Sequence, residues 1–179
     1  MDPESLHTAR LRLDRFTDGD RALLARLAHD PAVMRYIGEG TPWPAERIDA
    51  VAAHLLAHWA EHGFGWRVAR RRENAEAIGL ITLGYAGEGS GVGADEHEIG
   101  WWLAPSAWGQ GLAREGAAAV RNEAFSRVQA PGVVARISPA NAASLAVATA
   151  IGLRREADSV GRFGEPIAVA RLSAGDWRR

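Results

Sequence analysis

The run Trp108-Gly109-Gln110-Gly111-Leu112-Ala113 restricts the possible folds of this chain more than any other stretch. It joins a strand-like segment, His97–Leu103, to a helix-like segment that starts at Leu112. Glycines at 109 and 111 free the backbone to turn, so the amides of Gly109 to Ala113 can converge on one point. The first turn of the helix adds N–H groups without intrahelical acceptors and the positive end of the dipole. A strand, a glycine loop and a helix N-terminus in that order form a cradle suited to a diphosphate, and it requires no lysine.

The cradle has three readings. A dinucleotide fold wants a third glycine where Arg114 stands and an acidic residue ending the next strand, which here ends Ala135-Arg136-Ile137. A tight strand–helix connection that binds nothing explains both glycines as well. A coenzyme A cradle is the third. Composition narrows the chemistry around it: the 179 residues include no cysteine and no lysine. Disulfides, thiolate metal sites, cysteine nucleophiles, Schiff bases and lysine-bearing phosphate loops are thereby excluded. A net charge of −1 argues against an electrostatic grip on nucleic acid or anionic lipid by the surface as a whole.

The rest of the chain reads as one domain over residues 1–179, with strands and helices interleaved in a mixed sheet covered on both faces. Leu11, Leu13 and Phe16 mark a half-buried strand, and Asp20 can cap a short helix carrying Leu23, Leu24 and Leu27. Ile48, Val51, Ala52, Leu55, Leu56 and Trp59 form the apolar stripe of a helix from about Ala45 to Glu61. Strands are expected at Trp66–Arg70, Ile78–Leu83, Val133–Ile137, Leu153–Val160 and Pro166–Leu172, and helices at Leu112–Val128 and Ala142–Ile151. The stretch with Gly84, Gly87, Gly89, Gly91 and Gly93 reads as a mobile loop. Met1 to Glu4 lacks the basic and apolar regions of a leader, and Ile137–Leu153 is too short and polar to span a bilayer, so a soluble, cytoplasmic protein is expected.

One strand beyond the cradle stands Asn141-Ala142-Ala143-Ser144, with Ala150-Ile151-Gly152-Leu153 closing the same helix. As structure alone, Asn141 is a helix cap and Gly152 a left-handed terminator. Taken together the two segments resemble the GNAT acyltransferases, in particular the RimJ/RimL-type branch of ribosomal-protein N-terminal acetyltransferases. Thr8-Ala9-Arg10-Leu11-Arg12-Leu13, Trp43-Pro44 and Glu115 also look like that branch, so the resemblance covers nearly the whole chain. Trp108 stands where the wider superfamily has Gln or Arg, leaving the first phosphate contact to the backbone.

The resemblance implies a GNAT fold, an α/β (α+β) domain with a mixed, mostly antiparallel central sheet. It implies direct transfer of an acetyl group from acetyl-CoA to a primary amine in a ternary complex, the acceptor being a protein N-terminus or a small molecule. CoA would be held by Trp101, Trp102, Leu103, Trp108, Gly109, Gln110, Gly111, Leu112, Ala113, Arg114, Asn141 and Ser144, with no metal. Ser144 would protonate or hydrogen-bond the leaving sulfur, and Glu98 would act as base through a water. Period-two alternation puts Glu98, Gly100 and Trp102 on one face and His97, Ile99, Trp101 and Leu103 on the other. The structural alternative for Glu98 is an ion pair with one of the many arginines. Trp43, between two prolines, and Tyr36 are candidates to line the acceptor pocket.

Other features carry plainer readings. His54, His58 and His62 suggest a solvated helix flank, and Arg70-Arg71-Arg72 a solvated turn that could also touch an acidic acceptor or the adenosine phosphate. Trp177 reads as exposed and makes a homodimer reasonable. The rival from another functional class is a CoA-binding domain of the same fold with no catalysis.

Overall fold

The computed structural model describes residues 5–178. The reading of Met1 to Glu4 lies outside the described residues. The strands are β1 (Leu6–His7), β2 (Leu11–Arg15), β3 (Arg67–Arg71), β4 (Ala77–Tyr85), β5 (His97–Leu103), β6 (Gly132–Ile137), β7 (Arg154–Val160) and β8 (Pro166–Ser173). The helices are α1 (Arg21–His29), α2 (Pro31–Met34), α3 (Ala45–His62), α4 (Leu112–Ser126), α5 (Ala142–Ala150) and α6 (Ala174–Trp177). Among the described residues the strands make one sheet in the order β1-β2-β3-β4-β5-β6-β8-β7. Every pairing is antiparallel except that of β5 with β6. The mixed, mostly antiparallel sheet expected from the resemblance is the one observed.

Alternation along the strands divides the core into two layers. Leu11, Leu13, Ala69, Ile81, Leu83 and Ile99 face Leu112, Ala117, Val120 and Ala124 of α4. Val68 and Leu80 face the other way, against Leu24 and Leu27 of α1 and Ile48 and Leu55 of α3. Neighbouring residues such as Leu80 and Ile81 therefore serve opposite layers. Among the described residues no helix is long and apolar enough to cross a membrane.

Several expectations are corrected. Asp20 occupies the position before α1 without capping it. Its Oδ2 instead accepts from the Thr17 amide at 3.0 Å and hydroxyl at 2.7 Å, and Arg70 binds its other oxygen. Arg70 is thus part of an ion network that includes Asp14, not of a solvated turn. Trp177 stacks on Phe125 with ring centroids 5.1 Å apart and donates its indole N–H to Asn122, which removes its argument for a dimer. The glycine-rich loop after β4 is pinned rather than loose. Ser90 is fully buried, Arg162 donates twice to the Glu88 carbonyl, and Ser159 donates to the Gly91 carbonyl. A Cβ at Gly91, where φ is +82°, would lie 2.3 Å from the Val160 carbonyl oxygen.

His58 is the sharpest departure from the solvated-flank reading. It is 9% exposed, and its ring meets those of His62, Phe64 and Tyr85 at 4.5, 5.0 and 5.7 Å. Its Nε2 is buried without a hydrogen-bond partner among the described residues. Burial, followed by the neighbouring His62 and His54, pushes its pKa down to about 4; Glu61 opposes this and His97 adds to it weakly. A group whose pKa is lower folded than unfolded binds protons preferentially in the unfolded chain, so it removes stability as pH falls. From an unfolded pKa near 6.5, unfolding free energy should drop by about 2 kcal/mol between pH 7 and pH 5 on this group's account. Urea unfolding of the native chain and of His58→Phe at both pH values checks this: the variant should lose about that much of the pH dependence. Equal slopes in the two proteins would remove the assignment.

Candidate active site

The site is built where the sheet splits. β5 and β6 pair only at His97↔Val133 and Glu98↔Val134, after which β5 runs on to Leu103 without a partner on that side. The Ala104 amide donates to the Ile78 carbonyl, on the β4 side. By antiparallel alternation the backbone groups of Trp101 and Leu103 therefore turn to the open side, towards the split. Glu98, Gly100, Trp101 and Trp102 all remain partly exposed although they lie in a central strand, so the split is open to solvent.

The chain then forms a short 3-10 turn at Pro105–Ala107 and enters the glycine loop. Gly109 and Gly111 have φ of +71° and +75°, left-handed values that strain any L side chain. Gly111 is the residue that opens α4. Among the described residues, the amides of Gly109, Gln110, Gly111, Leu112 and Ala113 find no protein acceptor. Five donors at a helix N-terminus with no internal use fit a diphosphate, and the adjacent split fits the extended arm that would follow it.

The loop is held by side chains rather than by packing. Gln110 uses its side chain for support: Oε1 accepts from Arg71 at 2.9 Å and Nε2 donates to the Ser106 carbonyl at 2.8 Å. Its own carbonyl accepts from Arg10 at 2.8 Å. The Trp108 indole N–H closes on the Leu103 carbonyl at 2.7 Å, fixing the exit of β5. Leu112 is buried in the core, whereas Arg114 points outward, exposed. Glu115 accepts from the Thr8 hydroxyl at 2.6 Å, the Arg10 amide at 2.7 Å and the Arg10 guanidinium at 2.7 Å. Burial raises the Glu115 carboxyl pKa, but those donors outweigh it and hold it below the usual range. Glu115 is thus the clamp between the β1–β2 turn and α4.

Across the split stands α5. Asn141 caps it, its side chain accepting from the Ser144 amide at 3.1 Å. The Ser144 hydroxyl oxygen accepts from the Trp101 indole N–H at 3.2 Å. Indole nitrogen can only donate, so the proton on Ser144 Oγ is left free for another acceptor. Trp101 packs in the layer of α4 and α5.

Glu98 belongs to the opposite face. Arg136 of β6 grips it with two hydrogen bonds, Nε to Oε1 at 3.0 Å and Nη2 to Oε2 at 2.9 Å, and also donates to the Ser90 carbonyl. The arginine pairing foreseen as the structural alternative is therefore present, and it ties the two strands where they part. Each carboxylate oxygen still has lone-pair capacity. Burial pushes the Glu98 carboxyl up, and Arg136 and the more distant Arg162 offset only part of that. Beside it on this face lie Trp102 and two other tryptophans: ring centroids are 5.3 Å apart for Trp43–Trp102 and 5.2 Å for Trp66–Trp102. Arg47 covers Trp43 at 4.6 Å and reaches Phe163 of the β7–β8 hairpin at 5.4 Å.

The sequence-expected residues are thus brought together around one split, Ser144 and Trp101 on one face, Glu98, Trp102 and Trp43 on the other. Tyr36 lies in the turn after α2, its ring under the Arg35 guanidinium at 5.2 Å, and none of its contacts reaches Glu98. Residues assigned no role in the site from the sequence are Arg136, Trp66 and Arg10. Arg136 could have been found only by aligning β6 beside β5.

A family model described as an acetyltransferase (GNAT) domain matches residues 10–154. The FsC-acetyl coenzyme A-N(2)-transacetylase of Aspergillus fumigatus is 28% identical over 166 residues, 90% of this chain and 70% of that protein. An acetyltransferase from Agrobacterium tumefaciens, known from its crystal structure, is 30% identical, with a TM-score of 0.80 over 96% of this chain and 95% of that one. Mycobacterium smegmatis RimJ, solved in complex with a CoA disulfide, shares the fold at 22% identity, with a TM-score of 0.75 over 99% of this chain and 91% of its own.

Proposed function

The chain belongs to the GNAT acetyltransferase family, and from that premise we propose that it acts as one domain over residues 1–179, moving an acetyl group from acetyl-CoA to a primary amine by direct attack. The observation that carries this reading is the set of five unpartnered amides, Gly109 to Ala113, beside a sheet that opens at Glu98. Acetyl-CoA, when bound, supplies an activated acetyl group and a thiol leaving group.

The chain's own residues supply the rest. Amides 109–113 hold the diphosphate. The Trp101 backbone and the Leu103 N–H, on the open edge of β5, bind the pantetheine arm as an added strand and offer an N–H to the thioester oxygen as charge develops there. Ser144, its oxygen already occupied by the Trp101 indole, donates its hydroxyl hydrogen bond to the departing thiolate, which takes its proton from solvent. Glu98, with its raised pKa, takes the proton of the attacking ammonium through a water. Nucleophile and leaving group are thereby served from opposite faces of the sheet. Trp43, Trp66 and Trp102 form an aromatic wall for the acceptor beside that carboxylate.

The test is incubation with acetyl-CoA and a panel of amines (short peptides with free α-amines, polyamines, small amines), following free thiol. Amine-dependent thiol release is the expected result. Tight binding of CoA with no turnover across the panel would leave the non-catalytic reading in its place.

A further inference from the structure

The glycine-rich segment between β4 and β5 sends one carbonyl to the split. Ser90 is fully buried, and its carbonyl accepts from Arg136 Nη1 at 3.1 Å. The same guanidinium directs Nε and Nη2 to the two oxygens of Glu98, at 3.0 and 2.9 Å. All three guanidinium nitrogens are thus engaged, two by a carboxylate and one by a neutral carbonyl. The carbonyl brings no charge to compete with Glu98, so its effect is to fix the plane of the fork.

The segment is tied down on both sides of Ser90. Arg162 donates to the Glu88 carbonyl, and Ser159 donates to the Gly91 carbonyl at 2.8 Å. Gly91 has φ +82°, and a Cβ there would lie 2.3 Å from the Val160 carbonyl oxygen, so this approach to β7 is open to glycine alone. Backbone freedom at Gly91 therefore serves one fixed course of the chain, the one that presents the Ser90 carbonyl to Arg136.

We propose that loop 84–93 and Arg136 form one positioning device for Glu98: the Ser90 carbonyl aims the Arg136 fork, and the fork holds Glu98 ionised with both oxygens in a fixed plane. The proposal rests on the reading of Glu98 as the base and deepens it. Glu98 is only 24% exposed, and lost hydration drives such a carboxylate towards its neutral form, which cannot take a proton. Arg136, 21% exposed, opposes that drive at contact distance. The other charged groups nearby leave this task to Arg136. Arg162 acts on Glu98 from farther away, and Glu96, two residues earlier, is occupied by Arg171 of β8. Opposite on β4 stand the uncharged Gly84 and Thr82, and His97 lies on the other face of β5. In the proton transfer an ammonium N–H bond breaks, the proton reaches a Glu98 oxygen through the water, and the lone pair left on nitrogen attacks. Arg136 exchanges no proton.

The pH profile of kcat/KM, measured on the full chain with one amine acceptor, tests this, because the acceptor's own ionisation contributes equally in every variant. Arg136→Gln should move the acid limb up by about 1–3 pH units, so that activity is lost at neutral pH and largely regained at alkaline pH. Arg136→Lys keeps the charge and should hold the limb within about half a unit of its native place. Gly91→Ala lies outside the Glu98–Arg136 pair but displaces the Ser90 carbonyl, and it should move the limb in the same direction by less. Calorimetry should give a CoA affinity within about twofold of native in all three, since none of them touches the cradle. An unmoved limb in Arg136→Gln, with loss spread evenly over all pH values, would overturn the proposal and make Arg136 a strut between β5 and β6. A limb displaced by more than about one unit in Arg136→Lys would overturn it too, and that variant decides alone if Arg136→Gln fails to bind CoA. An unmoved limb in Gly91→Ala would remove the loop from the device. Failure of the underlying reading looks different: Glu98→Gln would then keep the native rate and the native acid limb.

Discussion

Replacing Ser144 by alanine should lower kcat by about 100-fold, with the dissociation constant for CoA within about twofold of the native value. The expectation follows from the direction of one hydrogen bond. Because the Trp101 indole donates to Ser144 Oγ, the hydroxyl proton is left without an acceptor among the described residues. Alanine removes a proton that matters only as the carbon–sulfur bond breaks, so it should change turnover and not ground-state binding. Glu98→Gln should cost a comparable factor through the other face, since the amide cannot take a proton although it can still accept from Arg136. The acid limb of the kcat/KM profile should follow Glu98, whose burial moves it above the ordinary carboxylate range, with activity present above that pKa and lost below it. Steady-state kinetics with both variants, beside calorimetry with CoA, separate the two effects. A Ser144→Ala enzyme with unchanged kcat would remove the serine from the chemistry and leave the fold and the CoA site as they are.

The largest stability effect should come from Glu123→Ala, at about 3–5 kcal/mol. Arg67 is fully buried and Glu123 nearly so, and they pair through Nε to Oε2 at 2.8 Å and Nη2 to Oε1 at 2.5 Å. Arg67 also donates to the Leu13 carbonyl and lies over the Trp59 ring at 5.0 Å. Alanine would remove the Glu123 carboxylate from a fully buried guanidinium in the core between β3 and α4. Arg127, about half exposed, also reaches Glu123 and would simply turn to water. Guanidinium chloride unfolding gives the number directly. A loss below 1 kcal/mol would mean that water reaches Arg67 in the variant and that the pair is not sealed by the core.

What could be read in advance was what repeats locally. The limits of β5 and the start of α4 follow from period-two alternation and from Gly111 immediately before Leu112. Asn141 and Gly152 mark both ends of α5, as their types suggest. The faces of β5 were likewise legible, and they place Glu98 opposite Trp101. Missing was anything set by pairing across long stretches of chain. Arg67 and Glu123 stand 56 residues apart with no local mark of their partnership. Trp101 and Ser144 meet only because α5 folds back over the split. The burial of His58 has one local mark: it lies three residues after Leu55 and one before Trp59, inside the apolar stripe of α3. Spacing placed the three histidines on one flank, but whether that flank meets water depends on Phe64, Tyr85 and His97 closing over it. The fixed course of the glycine-rich loop is illegible in the sequence for a related reason. Composition reports backbone freedom, whereas Arg136, Ser159 and Arg162, all distant in sequence, remove it.

The diphosphate cradle can be observed residue by residue by amide nuclear magnetic resonance during titration with CoA. The five N–H groups from Gly109 to Ala113 should show the largest downfield shifts and the strongest gain in protection from exchange, with the Trp101 and Leu103 amides following as the arm settles along β5. Shifts concentrated elsewhere, with those five resonances unmoved at saturation, would contradict the placement of the cofactor and the direction of transfer built on it.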